Sequence, residues 1–181
     1  MQWGVFLFVS VVLLLGLLAG SFGKGDEGTQ TGWKPASQIA PPGLLEQVVR
    51  ENIQPGVFID ARAMKLWKIH PTKSRQALYL IDTRIAKGGV SQKNPLCGAA
   101  GCVFLAYTQS GDRYQRVLNT YLNPLLPPGV PLIQPASELQ SGLPCLLVNQ
   151  LENQKIRASK LCLNGRNYEV VESHLLPKVY E

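Results

Sequence analysis

The chain has 181 residues, 45% of them hydrophobic, with 18 Lys and Arg against 12 Asp and Glu, a formal net charge of +6. The bases never fall three in a row and are not interleaved with aromatics, which argues against a nucleic-acid surface. A partner of that kind is not expected; a mildly basic, solvated surface is.

The first element is apolar. Residues 5–19 carry no charge, and the stretch from Trp3 to Phe22 holds 20 uncharged residues, the length at which a helix crosses a bilayer. The same stretch fits the apolar core of a signal peptide, with the small residues Ala19, Gly20 and Ser21 where a peptidase would cut. Two readings of residues 1–22 therefore stand, a cleaved signal peptide and a retained transmembrane anchor. Either puts the rest of the chain outside the cytoplasm, in a periplasm or tethered to a membrane.

Residues 23–42 are rich in Gly, Thr, Ser and Pro and predict a flexible linker, in which Trp33 stands isolated. Residues 43–181 then predict one extracytoplasmic α+β domain: a short packing helix and a mainly antiparallel sheet, held by two disulfides. In residues 43–52, Leu44, Leu45, Val48 and Val49 form one stripe, so the spacing predicts an amphipathic helix, ended by Pro55-Gly56. Residues 61–69 divide poorly by either period; a strand is expected because the next run needs a neighbour. His70 to Ser74 is a turn, since Pro71 steers His70 away from α geometry. Residues 76–83 alternate with apolar side chains on both faces and predict a central strand.

Residues 103–108 and 114–122 predict two strands joined across Gly111-Asp112, where glycine can take the positive φ of a tight hairpin. A helix is the alternative for the second of them. Residues 123–135 hold five prolines and predict a stiff crossover, with Leu125, Leu126, Val130, Leu132 and Ile133 closing an edge of the core. Residues 143–149, 155–163 and 168–171 predict three more strands, the last two joined at Asn164-Gly165.

Four cysteines, Cys97, Cys102, Cys145 and Cys162, allow three pairings. An exported chain favours disulfides over metal. Gly98 and Gly101 let Cys97 turn back onto Cys102, which leaves Cys145–Cys162 to staple two later strands. Zinc would want tighter ligand spacing, and no cofactor motif is present.

Catalytic chemistry has little to stand on. His70 lies in a turn and His174 near the end, neither beside a serine in a nucleophile setting. Asp60 with Asp82, on neighbouring strands, is the best candidate pair for a carboxylate-dependent hydrolase, and a deep pocket containing either, or His70, would strengthen it. The remaining candidate is a basic edge: Arg84 and Lys87 ahead of the first disulfide, with Arg113 and Arg116 in the next hairpin. Stacked hairpins would gather them into a site for a small ligand or an anionic surface.

The run Tyr79-Leu80-Ile81-Asp82, then Cys97-Gly98-Ala99-Ala100-Gly101-Cys102, then Gly111-Asp112, Tyr114 and Val117, resembles a group of small exported bacterial proteins, cyanobacterial ones among them. In these a CGxxGC-type disulfide hairpin precedes a strand, a glycine turn and a strand. The resemblance covers residues 69–117 and implies no activity. Relatives with an Asp-rich turn before the first strand suggest calcium, but His70 to Arg75 departs from that pattern. The expectation is a non-catalytic exported or membrane-tethered domain that binds another envelope or membrane protein, or helps assemble such a complex.

Overall fold

The computed structural model describes residues 32–72, 74, 76–85 and 94–176. The chain enters through β1 (Lys34–Pro35) and one turn of helix, α1 (Ala36–Ile39), then α2 (Leu44–Asn52), a 3-10 turn (Ala61–Ala63), β2 (Lys65–Ile69) and β3 (Leu78–Asp82). A two-residue strand β4 (Cys97–Gly98) leads into the long hairpin of β5 (Gly101–Ser110) and β6 (Arg113–Leu122). Four strands follow: β7 (Ile133–Gln140), β8 (Leu143–Glu152), β9 (Lys155–Leu163) and β10 (Tyr168–Leu175). The α+β class is as expected, with all ladders antiparallel.

The strands form two sheets. One runs β1-β2-β3-β5-β4 with β6 on the far side of β5, the other β10-β9-β8-β7. Alternation along β3 and β5 explains why. Tyr79, Ile81, Val103, Leu105 and Tyr107 pack with Leu44 and Val48 of α2 and with Met64 and Leu66. Leu78, Leu80, Phe104 and Ala106 pack instead with Leu143, Leu146, Leu161 and Tyr168 of the second sheet. Sheet one is thus the middle of three layers, α2 over one face and sheet two over the other. Every residue of β3 is buried, as a strand apolar on both faces requires.

α2 forms where the stripe predicts. Gly43 precedes it at φ 78, and Leu44 and Val48 are its buried residues. Its polar side also docks: Gln47 donates to the Tyr114 carbonyl at 2.5 Å, and Tyr107 donates its hydroxyl to Glu51 at 2.9 Å. Asn52 accepts from Arg116 at 2.9 Å. The buried Tyr107 is held neutral: burial first, and the Glu51 carboxylate with it, push its pKa up to about 12.

Several expectations need correction. Residues 32–42, expected as linker, belong to the fold: Ala36 is fully buried and bonded to Met64, and Trp33 packs edge-on against Trp67 and Phe104. In residues 61–69 the strand starts only at Lys65, after Asp60 caps the 3-10 turn by accepting from the Arg62 amide. β7 extends through Pro135 as an edge strand whose pairing lapses between Pro135 and Leu139, a place where proline costs no ladder bond. Leu132 and Ile133 reach the core, but Leu125 is 70% exposed. The expected transmembrane anchor is not found: no helix among the described residues is long and apolar enough to cross a membrane. Residues 1–22, on which that expectation fell, lie outside the described residues.

Both disulfides close as the spacing suggested, Cys97–Cys102 across the β4–β5 turn and Cys145–Cys162 between β8 and β9. The second continues the register in which Leu146 faces Leu161, so it lies on the opposite face of sheet two, where both cysteines are buried.

Candidate functional site

A polar concavity sits on the α2 side of sheet one, beyond the N-terminal end of that helix. Lys68 pairs with Tyr79 across β2 and β3, and Tyr79 with Tyr107 across β3 and β5. Continuing both ladders by two residues places His70 beside Ala77 and Ala77 beside Gln109, in the adjacent row on the same face. Ala77 is the short member of its row, so a depression opens between taller neighbours. The resulting cleft has a volume of about 320 Å³ and is lined by Lys68, His70, Gln76, Ala77, Tyr79 and Gln109, with Gly111 at its rim.

Its floor is buried and its walls are exposed: Tyr79 and Ala77 are 3% and 8% accessible, while Lys68, His70, Gln76 and Gln109 face solvent. The Lys68 ammonium lies 5.9 Å from the centre of the Tyr79 ring, which in turn meets Tyr114 edge-on at 5.8 Å. Burial, and then the neighbouring Tyr114, raise the Tyr79 pKa, so its hydroxyl is a neutral donor. Among the described residues no carboxylate lines the cleft, and Lys68 makes no ion pair. The Gln109 amide reaches the Gly111 carbonyl at 3.2 Å.

The expected basic edge is not gathered. Arg84 follows Asp82, which pairs with Phe104, whereas Arg113 pairs with Ser110 at the other end of β5. Six residues of strand separate the two pairs, about 20 Å. Arg84 is committed locally: it bonds both oxygens of Asp82, the closest at 2.5 Å, and its guanidinium lies 5.3 Å from the Phe104 ring centre. Arg116 is bonded to Asn52. Lys87 lies outside the described residues.

The hydrolase pair fares no better. Asp60 caps the 3-10 turn and Asp82 is held by Arg84, so each carboxylate has a structural task. His70 does line a cleft, but among the described residues no serine, cysteine or carboxylate lines it with His70. His174 lies exposed on β10. Glu138, Cys145 and Cys162 come together closely enough to suggest metal ligands, yet both sulfurs are spent in a disulfide and Glu138 pairs with Lys160 at 3.1 Å. A ligating sulfur is a thiolate, so this group does not fit a metal. Sequence reasoning missed the cleft because its walls come from three separate segments. The one legible signal was Lys68 and His70, two apart and therefore on one face.

A second concavity, about 390 Å³ and mostly apolar, lies between the β2–β3 connection and the irregular part of β7, with Ile69, Pro71, Pro135, Leu139 and Pro144 on its walls. At the edge of sheet two, every residue of β10 after Tyr168 is exposed. No protein-family model matches the chain, and neither a curated protein nor a solved structure is detectably similar to it. The described residues make a small disulfide-stabilised domain in which no nucleophile, base and orienting acid converge.

Proposed function

We propose that this is an exported, non-catalytic domain that binds another protein by adding an extended, basic segment of that partner to the free edge of β10. The observation that supports the reading is the exposure of β10. Val170, Val171 and Leu175 are 60%, 53% and 46% accessible, and among the described residues only β9 pairs with the strand. An edge strand offers a row of unpaired N–H and C=O groups, which an extended peptide satisfies while side-chain contacts set specificity. Charge selects the partner's chemistry. Glu169 makes no ion pair among the described residues, so a Lys or Arg opposite it gains an unshared carboxylate. The slip in register between Val170 and Glu172 bends the edge and discourages indiscriminate sheet stacking. Export is supported by the leader's composition and by two closed disulfides.

The test is a photoreactive side chain at Val170, compared with one at Gln115 on β6, in cells that make the protein. A single adduct of discrete mass, formed at Val170 only and weakened about ten-fold by Glu169→Lys, is expected. Equal adducts at both positions, indifference to the charge reversal, or an adduct of twice the chain's own mass would overturn the reading. Recovery of the chain with reduced thiols from the cytoplasm would overturn the export part.

A further inference from the structure

The cleft over Ala77 lies on sheet one, whereas β10 belongs to sheet two, and it calls for a different kind of ligand. Its polar groups converge without satisfying one another. Among the described residues, Lys68, His70, Gln76 and Tyr79 make no side-chain hydrogen bond that engages Nζ, imidazole, amide or hydroxyl. The set combines one ammonium, an imidazole, two primary amides and a phenol. Each amide carries both donors and an acceptor, the pairing that neighbouring hydroxyl groups on a ring require. The ammonium supplies a point charge for a carboxylate. Among the described residues neither an arginine fork nor a carboxylate lines the cleft, and that lining suits a single negative charge better than a phosphate dianion. At the rim Asp112 and Arg113 follow Gly111 directly and offset each other. A volume of about 320 Å³ lies at the lower end of the range for small-molecule sites, about 300–1,000 Å³.

We propose that this cleft binds a sugar acid: a hydroxyl-rich unit of monosaccharide size with one carboxylate. Lys68 takes the carboxylate with His70 donating beside it, Gln76 and Gln109 hold ring hydroxyls, and Tyr79 donates from the floor. The ligand lies against Ala77, the position whose short side chain makes room for it. The unit has two possible sources, a free monosaccharide or the end of an acidic polysaccharide, and the recognised chemistry is the same in both.

The experiment is a titration of the oxidised protein with D-glucuronate, a hexa-uronate, D-glucose and inorganic phosphate, followed by backbone amide NMR. Glucuronate is expected to shift His70, Ala77, Tyr79 and Gln109, and Lys68→Ala to weaken it about ten-fold, the usual worth of one charge-assisted bond. Lys68 is exposed, so that variant keeps the fold, and Lys155→Ala on β9 serves as the control with unchanged affinity. Tighter binding of the hexa-uronate identifies a polysaccharide end, and equal binding a free sugar. The proposal is overturned by glucose binding as well as glucuronate, by phosphate binding as well as glucuronate, by shifts that Lys68→Ala leaves unchanged, or by no shifts at all.

Discussion

Tyr107 shows how much one side chain can be asked to do. Its ring fills the core between α2 and sheet one, while its hydroxyl donates to Glu51 and accepts from Asn52 at 3.2 Å. An ordinary tyrosine ionises at pH 10.0 and this one at about 12. Between those values the unfolded chain has released a proton that the folded chain still holds, so stability falls as pH rises across that window. Denaturant titrations from pH 9 to 12 should show the decline, and Tyr107→Phe should flatten it. Tyr168, buried and bonded to the Pro144 carbonyl at 2.7 Å, is shifted in the same direction and leaves a remainder. At neutral pH Tyr107→Phe should cost about 1–2 kcal/mol for its two lost bonds. Thr108 is the opposite case: its hydroxyl is buried with no partner among the described residues. Thr108→Val keeps the shape and removes the unsatisfied oxygen, so chemical denaturation should find it more stable by about 1 kcal/mol.

Elements whose reason is local were legible in the sequence. α2 declares itself through Leu44, Leu45, Val48 and Val49, and β5 and β6 through alternation around Gly111, whose φ is 61. β7 was hidden, because Pro135 and the polar run after it do not look like a strand; only its place at an edge makes that sequence tolerable. β1 and α1 were hidden too, since two residues and one helical turn carry no period, and Trp33 shows its purpose only once Trp67 and Phe104 are beside it. Between β5 and β6 the fit is close at Gly101. It opens β5 at φ 115, and a Cβ there would strike the Leu122 backbone on β6. Gly101→Ala should therefore lower stability by about 3 kcal/mol or more, from strain and displaced backbone together. Thermal and denaturant unfolding would show it; a change within 0.5 kcal/mol would mean the hairpin end has slack.

Across the whole molecule, the division into two sheets was only half visible. β3 and β5 are apolar on both sides, which demands two covers, and the sequence offered one obvious cover in α2. The second is supplied by the strands after the proline-rich crossover, which return over the far face. The cleft on the α2 side was less visible still, because Lys68, Gln76 and Gln109 meet only through the pairing of three strands. Sheet two depends on Cys145–Cys162, both fully or nearly fully buried. They stand 17 positions apart; the chain-entropy estimate for such a loop is about 3 kcal/mol, and the Cys145→Ala/Cys162→Ala double variant should lose about that much. The corresponding change at Cys97 and Cys102, only five positions apart, should cost less; equal losses in denaturation would contradict the loop-length argument.

The two sulfur links follow one another along the chain and never interleave. A polypeptide delivered N-terminus first can therefore seal the earlier ring before Cys145 has emerged, and no wrong partner is on offer when it does. The later pair then meets only itself. Oxidative maturation should proceed without reshuffling, at a rate that added disulfide isomerase leaves unchanged in a time course of thiol loss.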